Sequence, residues 1–316
     1  MSTSKFSSQP LIAPLQGHTD AAWRTAHART MQPLGLQLTY YAPFARVERG
    51  EVRPRDIRAL APGLNSGYTL IPQVIFKDIH ELQMLTDAIA ALGYRHIDLN
   101  MGCPFGPQVK AGRGAAAAVN PCLLEQLKDF IDGRPDISFS IKMRPGLSST
   151  DEWLPYAQLL NALTLSHITL HPRPAKLAYR GTPDLDCVTQ FLSLVNHPIY
   201  YNGDITSPAE FQAIAARFPN AAGAMIGRGL LARPSLAAEI ATGTEWTPEA
   251  RRHLWLEIML DVARQISDSS QGEKQALDRL KPRLEYIEPH LLDKRHLKSL
   301  AKSRDLPTFL DLLTRE

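Results

Sequence analysis

The chain has 316 residues, 44% hydrophobic and 21% charged, with a formal net charge of +3. This is ordinary globular composition, with enough apolar side chain for one large core and a small appended unit, and it excludes a disordered or fibrous chain. No apolar run is long enough for a transmembrane helix, and the polar stretch 1–10 lacks the apolar segment of a signal peptide, so a cytoplasmic location and no membrane partner are expected.

In chain order, short β-rich apolar runs alternate with segments of helical period. The runs are 11–15, 36–44, 69–76, 96–100, 137–143, 167–171, 199–202 and 222–226. Helical patterns lie between them at 21–31, 79–92, 123–131, 152–161, 185–195 and 208–217, with a short one at 56–60. Eight strands with intervening helices imply parallel strands joined by right-handed crossovers. Nearly continuous apolar strands are expected where both faces are buried. An α/β fold of the (β/α)8 TIM-barrel type follows. After Pro234 the strands stop. Apolar residues at Leu254, Ile258, Met259, Val262 and Ile266 keep a helical period, and 275–287, 291–301 and 308–313 continue it, with a loop at 267–272. The expected domains are a barrel over 1–244 and a helical domain over 245–316.

The cysteines Cys103, Cys122 and Cys187 are too few and too scattered for a disulfide framework, and no cysteine–histidine cluster suggests a metal site. From Arg279 to Arg304 eight Lys or Arg face three acids, a net of +5. Such clustering suits phosphate contacts or a solvated helix surface.

In a barrel the active site forms at the C-terminal ends of the strands. Asn202-Gly203-Asp204-Ile205 follows the seventh run and Gly227-Arg228-Gly229 the eighth. Two glycine loops in these consecutive positions favour a bound phosphate over simple turns. Lys142 sits inside the fifth run, where a lysine is costly without an anionic partner. A flavin ring, which gathers negative charge near N1–C2=O on reduction, is a suitable one. Gln73 in the third run and His171 at the end of the sixth can hydrogen-bond a ring or phosphate; alone, His171 would read as a core histidine. Cys103, after the fourth run in Asp98-Leu99-Asn100-Met101-Gly102-Cys103-Pro104, is placed for a nucleophile or general acid. Cys122 and Cys187 read as structural.

Together these motifs resemble the tRNA-dihydrouridine synthases over residues 10–240. Ala13-Pro14-Leu15-Gln16-Gly17-His18-Thr19-Asp20, with Arg24, is similar to the family's APMxGVTDxxFR, and 98–104 to its DxNxGCP. Lys142, Arg144 and Gly146 match KxRxG, His171 and Arg173 match HxR, and the two glycine loops match NGDI and GRG. Residues 280–286 are similar to a stretch of the C-type enzymes. The resemblance implies FMN over the barrel mouth, held by Ala13, Pro14, Leu15, Gln73, Lys142, His171, Asn202, Gly203, Asp204, Gly227 and Arg228. It also implies NADPH as reductant and Cys103 as the acid that protonates a flipped-out uracil, which Asn100 and Arg173 orient. Lys281, Arg283, Lys294, Arg295 and Lys298 would hold the tRNA, with a D-loop uridine, position sixteen, suggested as target and a monomer as default. The chain departs from the family after Cys103, where Phe105-Gly106-Pro107 replaces Ser-Lys, and at Ala42-Pro43, where an acid is usual. Two other readings stay open: a dihydroorotate dehydrogenase-like FMN barrel acting on a free pyrimidine, and an inactive FMN-containing RNA-binding protein.

Overall fold

A computed structural model describes residues 6–288 and 291–315. The limits of the expected domains at 1 and 316, and half of the polar N-terminal stretch, lie outside the described residues. The strands are β1 (Leu11–Ile12), β2 (Thr39–Tyr41), β3 (Ala45–Glu48), β4 (Glu51–Val52), β5 (Thr69–Ile71), β6 (Gln73–Ile75), β7 (His96–Met101), β8 (Ser138–Met143), β9 (Ile168–Leu170), β10 (Ile199–Tyr201) and β11 (Gly223–Ile226). They form one sheet in the order β4-β3-β6-β7-β8-β9-β10-β11-β1-β2-β5. Every pairing is parallel except that of β3 with β4. β5, at one end of that order, and β6, next to the β3–β4 hairpin at the other, are halves of a single run interrupted at Pro72, which has no N–H to give the ladder. The sheet therefore curls into a barrel, as the alternating pattern predicts.

The helices of the barrel are α1 (Ala21–Met31), α2 (Pro54–Ala59), α3 (Ile79–Ala90), α4 (Gly106–Lys110), α5 (Pro121–Asp132), α6 (Ala157–Ala162), α7 (Leu185–Leu194), α8 (Pro208–Arg217), α9 (Arg228–Ala232) and α10 (Leu236–Thr242). Side-chain oxygens of Asp20, Asp78, Asn120, Asp184 and Ser207 accept backbone N–H bonds at the starts of α1, α3, α5, α7 and α8. These caps satisfy donors that the first turn leaves free. Beyond them come α11 (Pro248–Ser269), α12 (Glu273–Leu280), α13 (Lys294–Lys302) and α14 (Leu306–Thr314). The apolar stripe of α11, including Leu254, Ile258, Val262 and Ile266, is buried, and the helix packs along α1. No helix among the described residues is long and apolar enough to cross a membrane.

Several expectations are corrected. The loop expected at 267–272 is helical as far as Ser269. The helix expected over 275–287 ends at Leu280 and tightens into a 3-10 segment, Lys281–Tyr286, because Pro282 cannot donate. Pro155 has the same effect at 152–161, where α6 begins only at Ala157. The hairpin of β3 and β4 was not anticipated. It turns at Arg49 and Gly50, both at positive φ (54° and 83°), the geometry a two-residue hairpin loop favours.

The strands also alternate more than their sequence suggests. Ile97, Leu99 and Met101 of β7 and Phe139, Ile141 and Met143 of β8 join the core shared with the helices. Asp98, Asn100, Ser140 and Lys142 occupy the opposite face, toward the barrel interior, where Ala13, Tyr41, Ile71 and Met225 form a small separate apolar cluster. A polar interior is stable here because its groups bond across strands.

Candidate active site

The C-terminal ends of the strands surround a cavity of about 630 Å³. Its floor is a set of lateral neighbours. Gln73 pairs in register with Asp98 and Asp98 with Ser140, and one layer higher Asn100 pairs with Lys142 and Lys142 with Thr169. Asp98, fully buried, accepts from the Gln73 amide (2.7 Å) and the Ser140 hydroxyl (2.6 Å). Burial raises its carboxyl to about 6, although both hydrogen bonds and the charge of Lys142 oppose the rise.

Cys103 is set by the chain on either side of it. The side-chain amide oxygen of Asn100, Oδ1, accepts the backbone N–H of Cys103 (2.9 Å) and of Gly102 (3.2 Å). The Cys103 carbonyl accepts Ala115 N–H (3.1 Å). Gly114 lies so close that a Cβ there would stand 2.9 Å from Cys103 Cβ, and its φ of +60° also favours glycine. The divergent stretch after Cys103 folds into α4, and Arg113 closes it by pairing with Glu81 (Nε to Oε2, 3.0 Å). Burial pushes the thiol above its ordinary value, with Arg144 and Lys142 only partly opposing. At neutral pH the group is a thiol and can donate a proton.

Positive charge dominates the walls. Lys142 Nζ donates to the side-chain amide oxygen of Asn202, Oδ1 (2.7 Å), and Asn202 Nδ2 is itself fixed by donating to Met225 O (2.7 Å). Burial and then the neighbouring Arg144 lower the lysine to about 8. Arg144 is buried and donates only to the carbonyls of Arg173, Pro174 and Ala178; burial lowers it to about 10. His171 is held neutral, by burial first and then by Arg144, Lys142, Arg173 and Arg228. Asp204, at φ 41°, bridges Arg173 and Arg228, whose bonds and charge hold it below the usual carboxylate range despite its burial. Glu210, the other acid of the lining, is engaged at the start of α8. The loops after β10 and β11 interlock: a Cβ on Gly229 would fall 2.0 Å from Ile205 O. Among the described residues, no group of three or more His, Cys, Asp or Glu is placed to hold a metal ion.

Ala13, Pro14, Leu15, Gln73, Asn100, Cys103, Lys142, His171, Asn202, Gly203, Asp204, Gly227 and Arg228 all line the cavity. Arg173 does not. It is 1% exposed, behind the wall, and clamps Asp204 and Gly181 O (2.6 Å). Lys281 and Arg283 also lie outside the lining. Lys281 donates to Ser303 O (2.5 Å), and Arg283 to His18 O (2.6 Å) and Asp20 (2.8 Å). Lys294, Arg295 and Lys298 are exposed on α13, apart from the cavity.

Three residues given no site role from the sequence also line it: Arg144, Tyr179 and Tyr286. The half-exposed Tyr179 ring lies under Arg228 (4.4 Å) and beside Arg144 (5.9 Å). Tyr286 comes from the 3-10 segment after α12 and packs edge-on against His18 (4.8 Å). Arg144 carried a signal, the KxRxG match, and Tyr286 lay in the stretch 280–286; Tyr179 carried none, because nothing local marks a ring that reaches the mouth from another segment.

Comparison with known proteins agrees with this geometry. The model of the family described as Dihydrouridine synthase (Dus) matches residues 11–302. A "Probable tRNA-dihydrouridine synthase" of Rhodobacter capsulatus is 30% identical over 235 residues, 73% of this chain and 70% of that protein. A "tRNA-dihydrouridine(16) synthase" of Cupriavidus necator is 25% identical over 260 residues, 81% of this chain and 80% of that one. Among solved structures, morphinone reductase shares the fold, with a TM-score of 0.50 at 11% identity, covering 76% of this chain and 87% of its own. With the family's model running through every strand of the barrel and to the end of α13, the chain belongs to the dihydrouridine synthase family of enzymes.

Proposed function

We propose that this enzyme reduces uridine in tRNA to 5,6-dihydrouridine, with FMN in the barrel mouth, NADPH as reductant and Cys103 as general acid. The observation that carries it is a protonated Cys103 thiol on the rim of a cavity whose walls hold Lys142, Arg144 and Arg228 against few free carboxylates. That donor set suits an anionic ligand, and FMN fits: Arg228 with the loops at Gly203 and Gly227 would hold its phosphate, and Ala13, Pro14, Leu15, Gln73, Lys142 and His171 its ring. Bound there, FMN would supply the hydride chemistry that reduction of the uracil at C6 needs, with NADPH as the source of electrons.

The chain's own residues do the rest. Cys103 delivers a proton to C5 of the base, and Asn100 holds the backbone that carries the thiol. Lys142 keeps a positive charge where negative charge develops, which stabilises it most in a site closed to water. His171 stays neutral and offers a hydrogen bond. A base must leave its stack to reach such a site, which favours a loop uridine. The likeness to the Cupriavidus enzyme suggests position 16, in the D-loop. We assign catalysis to residues 1–244 and tRNA binding to 245–316, where the exposed Lys294, Arg295 and Lys298 form no ion pair among the described residues. Their contacts would be with phosphates, and recognition would rest on RNA shape. The enzyme would act as a cytoplasmic monomer.

The test is an absorbance spectrum of the purified protein, then dihydrouridine analysis after incubation with unmodified tRNA and NADPH. Flavin bands and new dihydrouridine are expected. Absence of flavin after FMN reconstitution, or flavin without product on any tRNA, would overturn the reading.

A further inference from the structure

Asp98 lies beneath the cavity and does not line it. It reaches the mouth through a chain of hydrogen bonds. Its carboxylate accepts from Gln73 Nε2 (2.7 Å), Gln73 Oε1 accepts from Asn100 Nδ2 (2.7 Å), and Asn100 Oδ1 accepts from Cys103 N (2.9 Å). Both ends of this chain run one way only. A carboxylate accepts and a backbone N–H donates, so each carboxamide between them has a single orientation that satisfies every bond. Although burial raises the Asp98 carboxyl, at about 6 it is still mainly ionised at neutral pH. One Gln73 amide hydrogen is left with no acceptor among the described residues, at a side chain that lines the cavity.

We infer that Asp98 is a positioning residue with two outputs: through Gln73 it sets the hydrogen-bond donor offered to the flavin, and through Asn100 it sets the placement of the Cys103 thiol. The first output rests on the FMN reading above; the second does not.

Two measurements on the full chain separate the outputs. FMN is titrated by fluorescence quenching, and alkylation of Cys103 by iodoacetamide is followed on its own peptide, since Cys122 is also exposed. Asp98→Ala and Gln73→Ala should each weaken FMN about tenfold, the loss expected for one hydrogen bond to a charged group. The double variant should be weaker than the worse single by less than about threefold, because the two residues act in series. Asp98→Ala should also change the alkylation rate of Cys103 at least about threefold, although the residues do not touch. The exchange Asp98→Asn with Gln73→Glu keeps the fold's hydrogen-bond count: the new amide donates to the new carboxylate, which still accepts from Asn100. Only the donor toward the cavity is lost. This variant should therefore alkylate like wild type while binding FMN about tenfold more weakly. Additive losses in the double variant, an unchanged Cys103 rate in Asp98→Ala, or full FMN affinity in the exchange would each overturn the inference. Failure of wild type to bind FMN would sink the flavin reading instead, and the alkylation measurements would still decide the second output.

Discussion

Two regions of this protein use the same residue types to opposite ends. At the seam between the barrel and the last helices, every buried charge is answered. Glu239, fully buried, accepts from Arg233 (Nε, 2.8 Å), Ser235 (2.5 Å) and Trp246 N (2.9 Å), and also pairs with Arg251. Arg251 reaches Glu245 and Glu288 as well, and Arg283 is held by Asp20. At the mouth, Arg144 has only carbonyls and Lys142 only a carboxamide oxygen. The seam is self-sufficient and builds structure. The mouth is short of negative charge and is completed by a ligand. What marks a functional cation is therefore the missing partner, which a count of charges along the chain cannot show.

The sharpest way to break the comparison is Glu239→Ala. Removing the shared acid leaves buried Arg233 with only its longer pair to Glu245 (3.5 Å) and takes the acceptor from Ser235 and Trp246 N, and unfolding in urea should show a loss of about 3–5 kcal/mol. A loss below about 1 kcal/mol, the worth of a surface pair, would mean that the seam is not a buried network. Cys103→Ala should do the reverse: dihydrouridine formation falls about 10²–10⁴-fold, the range for a lost general acid, while urea stability and FMN binding hold.

Lys142→Met should weaken FMN about tenfold without loss of stability, since it removes a buried charge that lacks a counterion. The same lysine gives a pH signature. It titrates near 8 without ligand, and the negative charge of a reduced flavin ring beside it raises that value. Affinity for reduced FMN should therefore be full below about pH 8, fall as pH rises through it, and lose this dependence in Lys142→Met. A flat profile in wild type would place the ring's negative charge elsewhere. The smallest effect concerns the outer surface. Replacing Lys294, Arg295 and Lys298 by Ala should reduce the salt slope of tRNA affinity by about two, with flavin binding untouched. An unchanged slope would move the RNA to another face.

The sequence by itself determined whatever depends on neighbours a few residues apart. Alternating periodicity marked the barrel strands and helices. The side chains that cap α1, α3, α5, α7 and α8 stand immediately before their helices. Cys103, Lys142 and the two glycine loops were legible because strand ends in a barrel all point to one mouth. Only the tertiary structure decided which charges are free. Arg283 and Asp20 are 263 positions apart, and Arg173 meets Asp204 across 31. The sequence shows neither pairing. Tyr286 likewise reaches the cavity from beyond α12. Helix periodicity and capping are set by local backbone geometry, whereas the pairing of a charge is set by whichever atoms the whole fold brings within a few ångströms of it.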